Sequence, residues 1–147
     1  MMLRFSDGTQ ASAIFSQVSG GHKNDLFLAA DCENYSMQWR QQAADQLIIG
    51  RREGGEHTIY ADPAQLSAPA KRFATLPGGH SVAWADAFRN GISEFYHALR
   101  RHTVPEASPS YATFDDGLQI MRVVDACLRS HQSGGWVSIE ERKGGHQ

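Results

Sequence analysis

The chain has 147 residues, 41% of them hydrophobic and 20% charged, with a formal net charge of −2. That length suffices for one domain, residues 1–147, which buries roughly two-thirds of its unfolded surface and needs no metal or disulfide to fold. The basic residues gather only in short runs such as Arg51-Arg52 and Arg100-Arg101-His102, so the basic stripe of a nucleic-acid binder is missing. No apolar run approaches the ~20 residues of a membrane-spanning helix, and the first residues lack a charged-then-apolar signal pattern. Cys32 and Cys127 have no CxxC spacing and read as buried thiols of a reducing compartment, which makes a cytoplasmic protein the expectation. The seven histidines never fall at i, i+4, so no metal site is expected.

The first half reads as an antiparallel meander. Strands are expected over Met2 to Phe5 and Thr9 to Val18, joined by the Ser6-Asp7-Gly8 turn, in which Asp-Gly supplies positive φ. Further strands follow over Asp25 to Cys32, Ser36 to Gln41, Gln46 to Arg52 and His57 to Ala61, with a turn at Glu53-Gly54-Gly55-Glu56. Side chains alternate between faces along a strand, which gives an aliphatic set of Ile14, Val18, Leu26, Leu28 and Cys32. A second set holds Phe15, Phe27, Met37 and Trp39. A sheet apolar on both faces needs two covers. Helices can supply one, and a partner subunit or residues tucked under loops the other.

The second half reads as helical. Leu76-Pro77-Gly78-Gly79-His80 forms a turn at the mouth of a helix from Val82 to about Arg101, where the free N–H groups of the first turn can face a ligand beside His80. Trp84, Phe88, Ile92, Phe95 and Leu99 recur at steps of four, four, three and four, one helical face, and are assigned to the core; His97 and His102 fall to solvent. Thr103 to Ala112, with Pro105 and Pro109, is a connector. A second helix opens at Thr113-Phe114-Asp115-Asp116, a capping box with Asp in place of Glu, and stops at Gly134-Gly135. A short strand is expected over Trp136 to Ile139 and a frayed tail over residues 140–147. The fold class is α+β: a mostly antiparallel sheet with helices on one face and the other face available for oligomerisation.

Familiar catalytic signatures are missing, among them GxSxG, SxxK, HExxH, the Walker loop and a strand-borne GxGxxG. A hydrolase pairing His80 with Ser81 fails because adjacent residues rarely meet as base and nucleophile.

Leu76-Pro77-Gly78-Gly79-His80, followed by Trp84, Asp86-Ala87-Phe88-Arg89-Asn90 and Phe95-Tyr96, resembles the "PGGH…W.DAF.N…Y" segment of the glucose–fructose oxidoreductase / inositol dehydrogenase / MocA family. Gly21-His22-Lys23-Asn24-Asp25-Leu26 is similar to the family's "GRKNxL" hairpin, with His22 where arginine is common. Cys32 to Trp39 stands where the family reads "GxKGSLxW", with Cys32 and Tyr35 in place of two turn glycines. Thr113 to Gly117, Val124-Asp125-Ala126 and Gly134-Gly135-Trp136-Val137 resemble the closing "PTFEDG…VxA…GxWV".

The resemblance implies the carboxy-terminal half of a two-domain, NAD- or NADP-dependent oxidoreductase acting on a sugar, polyol or related alcohol. The family's Rossmann half and its catalytic lysine and Asp…His pair are expected outside these residues, so this chain alone should be inactive and bind no nucleotide. The family's sheet usually mediates dimer or tetramer formation, which makes Phe15, Phe27, Met37 and Trp39 the expected oligomer surface. His80, and with less support Lys23, are the expected substrate-side residues. The alternative is a free-standing binding or assembly module acting through its sheet.

Overall fold

A computed structural model of the chain describes residues 1–101 and 109–139. The expected tail, His102 and the connector around Pro105 lie outside the described residues. These fall into two compact units, residues 1–19 with 109–139 and residues 20–101.

In the first unit, β1 (Met2–Arg4) pairs antiparallel with β2 (Gln10–Ser12). The turn between them is longer than two residues: Phe5 N–H donates to Thr9 O, Gly8 takes φ +90° and Asp7 accepts the Thr9 N–H at 2.8 Å. That backbone N–H and the Thr9 hydroxyl hold the Asp7 carboxyl below the usual carboxylate range. The expected second strand stops at Ser12, and Ile14, Phe15 and Val18 lie beyond it, all strongly exposed. Trp136 to Ile139 forms no strand; Arg4 instead stacks on the Trp136 ring at 4.9 Å. The long helix of this unit carries Ala126, the one buried residue among the described residues.

The second unit holds a four-stranded antiparallel meander in sequence order: β3 (Phe27–Asp31), β4 (Tyr35–Arg40), β5 (Gln46–Arg51) and β6 (Gly55–Tyr60). Gly54 and Gly55, at φ +107° and +82°, turn the last hairpin. Register decides the faces, because residues directly opposite share one. Leu28 faces Trp39, Trp39 faces Leu47 and Leu47 faces Ile59; Met37 pairs with Ala30 and Ile49 on the same side. Phe27 pairs with Arg40 on the opposite side, beside Gln38, Ile48 and Thr58. The expected set of Phe15, Phe27, Met37 and Trp39 therefore does not form one face. Phe27 and Trp39 differ in parity relative to the ladder, and Phe15 lies outside both sheets.

Three helices complete the described residues: α1 (Ala68–Lys71), α2 (Trp84–Arg101) and α3 (Phe114–Ser133). Only the two longer ones were expected. The α3 start is the capping box read from sequence: Asp116 N–H donates to the Thr113 hydroxyl while Thr113 N–H donates to the Asp116 carboxylate at 2.8 Å. Gly134 closes it at φ +66°, donating its N–H to Ser130 O at 2.9 Å. In α2 the expected core stripe is half exposed, Trp84 and Phe88 at 57% each, their rings 4.7 Å apart. The less exposed stripe is Asp86, Asn90, Glu94 and Ala98, since polar side chains there hold the segment before the helix.

Candidate functional site: the Pro-Gly-Gly-His loop

The loop that carries His80 is fastened from three directions. From α2, Asn90 Nδ2 donates to Phe73 O at 3.2 Å, Arg89 reaches the Thr75 hydroxyl at 3.1 Å, and Glu94 pairs with Arg72 at 3.1 Å. From below, Asp62 just past β6 holds an Asx turn, accepting the Ala64 N–H at 2.9 Å. Gly78 lies close to it: a Cβ there would meet Asp62 Cγ at 3.0 Å and Oδ2 at 3.1 Å, so a larger residue would need the Asp62 side chain to give by a few tenths of an ångström. Within the loop, His80 N–H donates to Pro77 O at 3.3 Å and Gly79 has φ +85°, the signature of a type II turn. His80 Nδ1 lies 3.2 Å from the same carbonyl, and the residue is exposed.

The helix begins at Trp84, two residues after the expected Val82, so Ser81 to Ala83 separate the histidine from it. The amides of Ala83, Asp86 and Ala87 are engaged locally. Asp86 accepts the Ala83 N–H at 3.0 Å, and Asp86 and Ala87 donate their N–H groups to Ala83 O. The Ala83 N–H, ahead of the Arg89 charge at 2.8 Å, holds the Asp86 carboxyl below its usual range.

Lys23 belongs to a separate loop. Gln42 Nε2 donates to Asn24 O at 3.0 Å, and Leu26 exchanges bonds with the side chain and backbone of Gln41, which pins the loop to a single 3-10 turn at Gln41–Ala43. Beside Lys23, His22 Nδ1 meets Asp25 Oδ2 at 3.0 Å, and Arg40 approaches the other oxygen at 3.8 Å while covering the Phe27 ring at 4.3 Å. No hydrogen bond or ion pair among the described residues joins Lys23 to His80. A shallow hollow of about 330 Å³ sits at another end of the sheet, walled by Asp31, Asn34, Tyr35, Ser36, Arg51 and Arg52, and neither Lys23 nor His80 lines it. Its floor is Gly50, where a Cβ would stand 2.9 Å from the Ser36 hydroxyl.

Of the four residues expected at an oligomer surface, Trp39 is half-buried with Nε1–H donating to Ala44 O at 3.0 Å, and Met37 is half-buried beside it. Phe27 is 42% exposed under Arg40 and Phe15 is 82% exposed. Cys32 is exposed in the β3–β4 turn, contrary to expectation, and Cys127 is half-buried with its Sγ 3.0 Å from Met1 Sδ; both are free thiols. Among the described residues no group of three His, Cys, Asp or Glu side chains is arranged to hold a metal ion, and no helix is long and apolar enough to cross a membrane. The sequence reading missed Asp62, although Asp-Pro is a turn signal, and missed Asn90 as a tether.

Comparison with known proteins gives these loops a context. Residues 8–139 match the family described as "Oxidoreductase family, C-terminal alpha/beta domain" of the Gfo/Idh/MocA oxidoreductases. A glucose-fructose oxidoreductase domain-containing protein 2 from Xenopus tropicalis is 31% identical over 108 residues, 67% of this chain and 28% of that protein. An oxidoreductase from Sinorhizobium meliloti superposes with TM-score 0.79 at 30% identity, covering 94% of this chain and 39% of its own. An inositol dehydrogenase homolog from Azotobacter vinelandii, complexed with NAD+, shares the fold with TM-score 0.82 at 19% identity, over 91% of this chain and 36% of its own. The chain thus spans between about a quarter and two-fifths of the length of these relatives. With the match running through both loops and both long helices, the chain belongs to the Gfo/Idh/MocA oxidoreductase family as its C-terminal alpha/beta domain.

Proposed function

We propose that this chain is the substrate-side and subunit-contact part of an NAD(P)-dependent oxidoreductase acting on a sugar, polyol or related alcohol. In such an enzyme it walls the substrate site with the His80 loop and, from its own loop, Lys23, while residues outside the chain hold the nicotinamide nucleotide and carry the chemistry. The observation that carries this reading is the family match over residues 8–139, which includes both loops in order. The NAD+ complex of the Azotobacter inositol dehydrogenase homolog supports NAD as the cofactor and a polyol as the substrate class. On its own the chain is expected to be inactive, since the family match over it is to the C-terminal domain and the resemblance places the catalytic groups elsewhere.

Two measurements test the reading. Titrating the isolated chain with NADH by fluorescence should give no micromolar binding; micromolar affinity would remove the division of labour proposed. Substituting His80→Ala in the full oxidoreductase should raise KM for its substrate, and an unchanged KM and kcat would return His80 to an ordinary surface residue.

We also propose that subunits associate through the sheet, and the register narrows how. The face of Phe27, Arg40, Gln38, Ile48 and Thr58 mixes aromatic, aliphatic and hydrogen-bonding groups in the manner of a subunit interface. Phe27→Glu should shift sedimentation towards a smaller species with the fold intact. Trp39→Glu should unfold the protein, because it removes the bond to Ala44 and forces a charge among Leu28 and Leu47. A wild-type monomer at high concentration rules out association through the sheet.

A further inference from the structure

His80 has its ring held by its own turn, and the chemistry of the partner atom fixes what the ring offers outward. Pro77 O accepts from the His80 backbone N–H at 3.3 Å and faces His80 Nδ1 at 3.2 Å. A carbonyl oxygen has no hydrogen to give, so the nitrogen facing it is the donor. In a neutral imidazole one nitrogen donates and the other accepts, which leaves Nε2 as a bare lone pair. The turn that makes this possible depends on Gly79 at φ +85°, a conformation that a side chain disfavours.

We infer that the Pro77-Gly78-Gly79-His80 turn locks His80 as the Nδ1–H tautomer, so that this loop recognises a ligand group that donates a hydrogen. Within the function proposed above, on which this part rests, that group is a substrate hydroxyl. Nε2 accepts from it and discriminates against a carboxylate or phosphate oxygen at the same position, which would meet lone pair against lone pair. His80 acts here as a specificity-determining residue and takes no proton from the reacting carbon. The assignment opposes the intrinsic preference of a free imidazole in water for the Nε2–H form, which makes it open to direct contradiction.

The test has two arms with separate readouts. In the 147-residue chain, two-bond nitrogen–proton correlation spectra of the His80 ring at a pH where it is neutral should give the Nδ1–H pattern. Gly79→Ala, which strains the turn, should move that ring towards Nε2–H with the other six histidines unchanged. An Nε2–H or evenly mixed pattern in the wild-type chain overturns the inference whatever His80 does in catalysis. In the full oxidoreductase, His80→Gln keeps an acceptor and should hold KM within about threefold, while His80→Ala should raise it about tenfold, the equivalent of one neutral hydrogen bond. If Gln and Ala raise KM equally, the acceptor role fails. If neither changes KM while the Nδ1–H pattern stands, the tautomer lock survives and the substrate-pocket reading is what falls.

Discussion

Helices α2 and α3 start with the same device and differ in how completely they use it. In both, a carboxylate three residues into the helix segment accepts the N–H of the residue before the helix: Asp86 from Ala83 at 3.0 Å and Asp116 from Thr113 at 2.8 Å. In α3 the Thr113 hydroxyl returns the bond, and the start is fixed by four consecutive residues. In α2 the preceding residue is Ala83, with no side chain to return anything, so that start is half capped. Its position depends instead on contacts distant in sequence: Asn90 with Phe73, Arg89 with Thr75 and Gly78 with Asp62. The start that follows the His80 loop is the one set by tertiary contacts, in keeping with a scaffold that lends precision to a loop.

Breaking each device should separate the two. The largest effect is expected from Thr113→Ala, which removes the hydroxyl half of a full box and should lower stability by about 1–2 kcal/mol in thermal or denaturant unfolding. Undiminished stability would mean that α3 is held by packing alone. Asn90→Ala deprives the Phe73 carbonyl of its donor and should destabilise by about 1 kcal/mol. Amide exchange should quicken over residues 72–75 while α3 protection stays the same; loss of protection in α3 as well would show that α2 is not an independent anchor.

A gain is expected from Ala83→Ser, which completes the α2 box and should add roughly 0.5–1 kcal/mol. If no gain appears, the loop geometry set by Asp62 and Phe73 already dictates where the helix starts. The smallest effect is the acid response of Asp86. Because the Ala83 N–H lowers its folded pKa, its contribution is complete above the unfolded carboxylate value of about 4 and is lost as pH falls through the lower folded value. Amide shifts at Ala83 should follow that titration, and Asp86→Asn should flatten it. A titration of the Ala83 amide that persists in Asp86→Asn would assign it to another group.

Much of the fold was legible in the residues because its signals are local. The β3 to β6 meander follows from alternation and from the Gly54-Gly55 turn, and α3 from the Thr113–Asp116 box and Gly134. The long second strand was misread because Ile14, Phe15 and Val18 look strand-like in composition, yet the ladder that would pair them ends at Ser12. The α2 stripe was assigned to the core from periodicity, but hydrogen bonds from Asn90 and Arg89 and the ion pair of Glu94 with Arg72 hold the polar side of the helix against residues 72–75.

The sequence by itself determined the family, the α+β class, the capped start and glycine stop of α3 and the glycine-dependent turn before His80, since each rests on neighbours within a few residues or on motifs in order. Only the tertiary structure decided that Phe27 and Trp39 face opposite ways, that Gly78 lies close to Asp62, and which nitrogen of His80 meets Pro77. Strand register, close approach and ring orientation are set between residues in space, where a single sequence carries no distance.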